Sequence, residues 1–228
     1  MTTGPRVNFP PRPGVSRFEM KTIDKTLKPA VFIDRDGTMT VEGGYINHPS
    51  RLQLIRGSAD AIRLCNEHGI LAILATNQAG VARGYFTEDL IHVVHGKLEK
   101  MLAAKGAKMD AIYYCPHHPR EGKRPYRADC DCRKPKPGMI ERGCEELPVD
   151  RSRSYMVGDK ISDSEFGHKM GLRTVMVMTG YGRGEYEYQR QDWTDTPDYI
   201  AKNLKDAVEW IIRDLAARGE KLEAGAQR

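Results

Sequence analysis

The sequence predicts an α/β domain in which a parallel sheet is flanked by helices. Short apolar segments with strand character alternate along the chain with segments of helical periodicity, an alternation typical of parallel sheets. Polar and acidic residues directly follow several of these strands, at the sheet edge where open α/β folds bind their ligands. The length of 228 residues suits one such domain, which we expect over residues 29–228.

Residues 1–28 are predicted to be an extension of this domain, because they are polar, rich in proline and lack the apolar core of a secretory signal. No apolar run approaches the ~20 residues of a membrane span. We therefore expect a cytoplasmic monomer with no membrane partner. The net charge of +5 permits nucleic-acid binding, but a small anionic substrate explains it equally well.

Two carboxylates follow the first predicted strand, which ends at Asp34. Asp34 and Asp36 are one residue apart and so point to the same side of an extended chain. Like charges this close are unfavourable unless a cation lies between them or one carries a proton. Mg²⁺ suits such a pair and also binds phosphate. One carboxylate can attack phosphorus while the other moves the leaving group's proton; an ordinary turn at this point is the alternative reading.

The second predicted strand, residues 70–75, ends in Thr76, Asn77 and Gln78. Their hydroxyl and amide groups could donate to a phosphate, and a helix-capping turn at the same residues is a compatible alternative. The next predicted helix carries His92 and His95 at a spacing seen in metal sites, but no third ligand is near them in the sequence.

The third predicted strand, residues 111–114, opens into a loop with clustered metal ligands. The candidate ligands are Cys115, His117, Cys130 and Cys132, with His118 as a competitor. Two ligand pairs, each with one spacer residue, suit a tetrahedral structural Zn²⁺ site, so residues 115–134 are predicted to be a zinc-binding loop. Three of the five cysteines lie in this loop, which favours metal binding over disulfides.

Charged residues continue after this loop and after the fourth predicted strand. Arg133 and Lys134 follow the last metal ligand, and a metal-clamped loop can hold a flexible lysine in one place. The fourth strand, residues 154–157, leads to Asp159, Lys160 and Asp163, which can converge on the first acidic pair. We predict that Asp163 caps the next helix and orients Lys134. A fifth strand at residues 174–178 and a helix from about residue 198 complete the domain.

These motifs resemble those of the haloacid-dehalogenase phosphatase superfamily, in the superfamily's order, over residues 31–182. The resemblance implies a Rossmann-like fold without a large cap domain. It makes Asp34 the nucleophile and Asp36 the general acid/base, with Thr76 and Lys134 holding the transferring phosphoryl group. It implies a Mg²⁺ site, whose expected ligands are Asp34, Asp36 and Asp159.

Within that superfamily the chain resembles the zinc-containing D-glycero-D-manno-heptose 1,7-bisphosphate phosphatases, through Cys-Pro-His-His-Pro, Cys-Asp-Cys-Arg-Lys-Pro and Gly-Asp-Lys. This favours His117 over His118 as zinc ligand and implies loss of the 7-phosphate from a phosphorylated sugar, with Mg²⁺ and Zn²⁺ as cofactors. The expected substrate contacts are Asn77, Gln78, Arg83, Arg133 and Lys160. Thr40 stands where this family usually has Asn.

Two other readings remain at this point. Zinc-containing histidinol-phosphate phosphatases resemble the chain, but their loop between ligand pairs is usually much shorter than the twelve residues here. A zinc-stabilised module that binds nucleic acid would leave the acids after the first and fourth strands unexplained, and no basic and aromatic groove is visible, so we expect no nucleic-acid partner.

Overall fold

The computed structural model describes residues 26–220 and residue 222. The strands of this part of the chain are β1 (Ala30–Ile33), β2 (Leu71–Asn77), β3 (Ala111–Cys115), β4 (Tyr155–Gly158), β5 (Arg173–Val177) and β6 (Tyr199–Ala201). Its α-helices are α1 (Ser58–Glu67), α2 (Glu88–Ala103), α3 (Gly138–Glu146), α4 (Ile161–Lys169), α5 (Gly182–Tyr188) and α6 (Leu204–Ala217).

The described strands form one parallel sheet in the order β3-β2-β1-β4-β5-β6. Strand β1 lies in the interior of the sheet, where Phe32 pairs with Ile73 of β2 and Met156 of β4. All four residues of β1 are buried, which explains why it reads as an uninterrupted apolar run. The predicted parallel α/β fold is confirmed.

Two layers of helices cover the sheet. Val31 and Ile33 of β1 belong to one buried cluster, which also contains apolar residues of α1, α2 and α6. Phe32, pointing the other way, belongs to a second cluster with residues of α3 and α4. In the described residues, loops rather than an inserted cap domain connect β1 to α1 and β3 to α3.

The expected final helix begins later than the sequence indicated. Residues 199–201 instead form β6, and the helix starts at Leu204 after Asn203, whose side chain accepts from the backbone N–H of Asp206. β6 was not predicted, because three residues are too few to show a period of two. The short helix α5 was not predicted either, because Gly182 is its only buried residue and it has no apolar stripe. One face of α6 is apolar and buried.

The predicted extension lies largely outside the described residues, so the boundary at residue 28 stays a prediction. Lys28 itself exchanges backbone hydrogen bonds with the segment before β4, at Pro148 and Asp150. No helix within residues 26–220 is long and apolar enough to cross a membrane.

Candidate active site

A cavity of about 470 Å³ lies at the carboxyl edge of the sheet, and its walls come from the segments that follow β1, β2 and β4 and from the end of the metal-ligand loop. Its lining includes Asp34, Asp36, Glu42, Tyr45, Thr76, Asn77, Gln78, Arg133, Lys134, Lys160, Asp163 and Tyr181. The sequence motifs therefore meet at the edge where open α/β sheets bind ligands.

Lys134 joins two of the predicted acids. Its Nζ lies 2.7 Å from Asp34 Oδ1 and 2.7 Å from Asp163 Oδ1, and the lysine side chain is only 7 % exposed. Burial opposes the charged lysine, but the two carboxylates outweigh it and raise the lysine's pKa. Burial, reinforced by the charge of Asp163 and opposed by Lys134, raises the pKa of Asp34 to about 6. Three charged groups are thus held at one point.

Asp163 contacts Lys134 as expected but does not cap α4. The helix begins at Ile161 with Lys160 in the cap position, so Asp163 lies in its first turn. There it is favoured by the positive end of the helix. The capping prediction was wrong, because the helix begins three residues earlier than a cap at Asp163 would place it.

Asp159 is fully buried, and its Oδ1 has no hydrogen-bond partner among the described residues. Its Oδ2 accepts from the backbone N–H of Tyr181 at 2.8 Å. Burial, together with the charges of Asp34 and Asp163, raises the pKa of Asp159 to about 7. A buried carboxylate oxygen without a partner, beside a second carboxylate, fits a divalent cation with oxygen ligands.

Two glycines make room for this carboxylate. A Cβ on Gly37 or on Gly180 would lie 2.1 Å from Asp159 Oδ2, and both glycines have positive φ angles, of 83° and 56°. The hydroxyl of Thr179 also donates to the carbonyl oxygen of Gly37 at 2.6 Å. The ends of β1 and β5 are thereby fixed around Asp159.

The Asp36 carboxylate is bound by protein groups on both oxygens. Arg35 donates from Nε to Oδ1 at 3.0 Å and from NH2 to Oδ2 at 2.8 Å. Gln78 Nε2 donates to Oδ2 at 2.9 Å, and Thr40 Oγ1 donates to Oδ1 at 3.3 Å. Both oxygens therefore already have protein partners, and ligation of Mg²⁺ by this carboxylate stays a prediction. Thr40, where the family has Asn, contacts this same group.

The amides at the end of β2 also bind protein groups. Asn77 accepts from the backbone N–H of Lys134 at 3.1 Å and donates to its carbonyl oxygen at 3.1 Å. Gln78 Nε2 contacts Thr76 Oγ1 at 3.0 Å as well as Asp36. Their side chains hold Lys134 and Asp36 in position, and both residues line the cavity, so substrate binding by these amides stays a prediction. Thr76 is buried and lines the cavity.

The predicted cationic contacts divide into two groups. Arg133 and Lys160 line the cavity; Arg133 NH1 donates to the carbonyl oxygen of His117 at 3.1 Å, and Lys160 Nζ lies 4.3 Å from the centre of the Tyr181 ring. Arg83 is exposed and does not line the cavity. It lies near His118, whose pKa is lowered by burial and by the charges of Arg133 and Arg83.

The metal-ligand loop brings its predicted ligands together. The donor atoms of Cys115, His117, Cys130 and Cys132 all lie within 4.8 Å of one another, and all four residues are buried. Neighbouring Sγ–Sγ distances are 3.5 and 3.3 Å, close to the edge of a tetrahedron with Zn–S bonds of about 2.3 Å. His118 lies outside the group, because its Nδ1 accepts from the backbone of Arg120 and Glu121.

The same loop has a second attachment, to helix α2. Glu88, the first residue of α2, accepts from the hydroxyl of Tyr126 at 2.8 Å and from that of Tyr114 at 2.9 Å. His92 contacts Tyr114 at 3.1 Å, and His95 contacts Arg35, so these two histidines do not share a metal site in the described residues. The loop is therefore tied to the domain independently of the four ligands.

Arg35 is the functional residue that sequence reasoning missed most clearly. Alternation along the strand turns it away from Asp34 into the protein, and its side chain is 2 % exposed. The alternation of side chains along the strand could have indicated that Arg35 is buried. Its partner on α2, His95, is sixty residues away in the sequence and was not predictable from local pattern.

Known proteins resemble this chain over most of its length. A model of the HAD-hydrolase-like family matches residues 131–207. A D-glycero-beta-D-manno-heptose-1,7-bisphosphate 7-phosphatase of Pasteurella multocida is 43% identical over 185 residues, which cover 78% of this chain and 100% of that protein. A protein of the same name from Escherichia coli K12 is 37% identical, with 78% of this chain and 97% of that protein covered.

Two solved structures are also similar. The D,D-heptose 1,7-bisphosphate phosphatase of B. bronchiseptica, complexed with magnesium and phosphate, has a TM-score of 0.71 at 28% identity, over 82% of this chain and 99% of that one. A putative HAD-like phosphatase of Mesorhizobium loti has a TM-score of 0.64 at 34% identity, over 70% of this chain and 77% of that one.

Proposed function

The chain belongs to the D-glycero-D-manno-heptose-1,7-bisphosphate 7-phosphatase family of HAD-like hydrolases, and we propose that it removes the 7-phosphate of that sugar bisphosphate through a phosphorylated Asp34. The observation that carries this assignment of roles is the contact of buried Lys134 with both Asp34 and Asp163, beside the unpartnered oxygen of Asp159.

Asp34 is the nucleophile of the proposed reaction. Its carboxylate forms a bond to phosphorus as the bond from phosphorus to the sugar oxygen breaks. Lys134 balances the negative charge that gathers on the transferring group, and Asp163 and Asn77 hold the lysine there. Because the lysine is fixed before substrate arrives, little reorganisation is needed during the reaction.

Asp36 moves the protons. Asp36 enters the reaction protonated and gives this proton to the departing sugar oxygen; in the second step, now as a carboxylate, it takes one from the water that attacks the phosphorylated Asp34. Breaking the phosphorus–Asp34 bond then releases inorganic phosphate and restores the nucleophile.

Two metal ions complete the proposed site. Asp34 and Asp159 are the side chains that would hold Mg²⁺, which when bound neutralises charge on the transferring phosphoryl group. Cys115, His117, Cys130 and Cys132 would hold Zn²⁺, and four protein ligands leave no position for substrate. The zinc site therefore serves to fix the direction in which Arg133 and Lys134 leave the loop.

Arg133 and Lys160 are the proposed contacts to substrate phosphate. Both line the cavity, and a guanidinium can bind a phosphate through two parallel hydrogen bonds, which a lysine cannot do. Arg133→Lys should therefore lower kcat/KM for the heptose bisphosphate about tenfold even though the charge is kept.

We also propose that the protein acts as a cytoplasmic monomer without a nucleic-acid partner.

The chemistry is tested by Asp34→Asn. This variant should lose turnover and should carry no acid-stable phosphoryl group when peptides are mapped by mass spectrometry after rapid quenching. Asp129→Asn, the same change at an exposed acid paired with Lys136, is the matched control and should behave as wild type. Full turnover by Asp34→Asn, once deamidation is excluded, would refute the assignment.

Substrate choice is tested separately, by comparing kcat/KM for heptose bisphosphate and histidinol phosphate. We expect a clear preference for the bisphosphate, because the cavity offers two cations besides Lys134. A preference for histidinol phosphate would overturn the proposed substrate and leave the chemistry at Asp34 intact.

A further inference from the structure

Arg35 forms a buried link between helix α2 and Asp36. Its NH1 lies 3.1 Å from His95 Nε2, while its Nε and NH2 bind the two oxygens of Asp36. Its NH2 also donates to Gln78 Oε1 at 2.8 Å. Arg35 is 2 % exposed and His95 is 5 % exposed, so water does not replace these partners.

The protonation of His95 follows from this geometry. A guanidinium only donates hydrogen bonds, so Nε2 of His95 must be the acceptor and the ring is neutral. Burial, together with the charges of Arg35 and His92, lowers the pKa of His95 well below its usual value. The edge of the His95 ring also packs against Tyr114, with ring centres 5.7 Å apart. The acceptor is therefore fixed in both charge and orientation.

We infer that His95 and Arg35 are positioning residues that hold Asp36 in the orientation required for proton transfer to the leaving group. The inference rests on the proposed function, in which Asp36 is the general acid. A carboxylate after the end of a strand can rotate about two side-chain bonds, and two parallel bonds from a guanidinium fix that rotation. The guanidinium is fixed in turn by His95 and Gln78.

Substrate can replace one hydrogen bond of Asp36 while the bonds from Arg35 and Gln78 to Oδ2 stay in place. Of its four hydrogen bonds, the one from Thr40 is the longest, at 3.3 Å. When Oδ1 carries the proton to be transferred, it can donate to the leaving oxygen while the Thr40 hydroxyl donates to the carbonyl oxygen of Arg35, 3.2 Å away. Arg35 NH2 and Gln78 Nε2 continue to hold Oδ2. A buried ion pair adds little net stability. The Arg35–Asp36 pair is therefore better explained by its effect on the orientation of Asp36 than by the stability of the fold.

The inference predicts an effect that depends on the leaving group. A sugar alkoxide needs a proton as it departs, whereas 4-nitrophenolate leaves readily without one. His95→Leu should lower kcat/KM for the heptose bisphosphate about tenfold, and Arg35→Met about a hundredfold. For 4-nitrophenyl phosphate both variants should stay near wild type, because kcat/KM covers only the steps through formation of the phosphoryl-enzyme.

Conservative and matched variants separate positioning from folding. His95→Gln keeps an acceptor for Arg35 and should restore activity toward the sugar substrate. His92→Leu, one turn earlier on α2, removes a contact to Tyr114 but none to Arg35, and it should leave the ratio of the two substrates unchanged. Thermal unfolding and circular dichroism of each variant check the fold.

A double-substitution cycle identifies the group through which His95 acts. If it acts through Asp36, His95→Leu should cause no further loss of kcat/KM in an Asp36→Ala background. Equal losses for both substrates, or losses that multiply in the double variant, would overturn the inference. Failure of the proposed function is distinct, because it would appear as turnover by Asp34→Asn.

Discussion

Replacing Asp159 by Asn is expected to stabilise the magnesium-free protein while abolishing its activity. The carboxyl group binds its proton more tightly in the folded chain than in the unfolded one, because its folded-state pKa is about 7 in place of 3.8. The stability of the metal-free protein is therefore unaffected by this group below about pH 4 and falls as the pH rises from there through about 7. Asn carries no charge, so it avoids this loss.

The size of the effect follows from the same pKa. At about 1.4 kcal/mol per pH unit, a rise from 3.8 to about 7 corresponds to on the order of 4 kcal/mol at pH 8. A buried Asn side chain without a partner has a desolvation cost of its own, which offsets part of this gain. We expect Asp159→Asn to raise the free energy of unfolding at pH 8 by about 2–4 kcal/mol, and the gain to become small at pH 5.

The assay is urea unfolding at pH 5 and pH 8 in magnesium-free buffer without chelators, so that the Zn²⁺ proposed at the cysteine cluster is retained. Added Mg²⁺ should stabilise wild type strongly at pH 8, weakly at pH 5, and Asp159→Asn at neither pH. Asp129→Asn is the control for an exposed acid. Equal or lower stability of Asp159→Asn at pH 8, or the same difference at both pH values, would refute the reasoning.

Three further predictions concern other parts of the molecule. Gly180→Ala should abolish Mg²⁺-dependent turnover, because its Cβ would lie 2.1 Å from Asp159 Oδ2. Gly171→Ala is the control, since it is also at positive φ but has no atom within 4 Å of its Cβ. It should keep activity and lower the free energy of unfolding by only about 1 kcal/mol. Burial opposes protonation of His168, but two carboxylates outweigh it and raise the histidine's pKa. The stabilising contribution of His168 is therefore complete below its unfolded-state pKa and is lost as the pH rises through its folded-state pKa. In thermal unfolding, His168→Gln should destabilise the protein more at pH 6 than at pH 9. Removal of zinc should abolish turnover and expose amides of residues 115–134 to hydrogen exchange, and an ordered loop with normal turnover would contradict the structural role.

The central strand and the metal-ligand group were predictable because their signals are local. An apolar run followed by Asp34 and Asp36 indicates a strand end, and two ligand pairs with single spacers indicate a metal site. The structure confirms the strand and brings the ligands together. Neither inference required knowledge of a distant partner.

Groups whose role depends on distant partners were harder to predict. Asn77 and Gln78 lie at the end of β2 as expected, but their partners are Lys134, fifty-seven residues away, and Asp36, forty-two residues away. A single sequence shows that an amide side chain can donate and accept hydrogen bonds, but not which group it binds in the folded chain. The local error at Asp163 was different, because a first-turn acid and a cap have similar sequence signatures.

The order of the strands has a consequence for how activity is acquired. The groups around Asp34 come from segments after β1, β2 and β4 and from the loop after β3, and the Lys134–Asp34 contact closes a separation of 100 residues. Contacts this distant form only after much of the chain has been ordered. A partly folded chain that lacks β4, or the loop after β3, would have no complete site, so recovery of turnover during refolding should report the last of these segments to assemble, and fluorescence changes from early collapse should precede it.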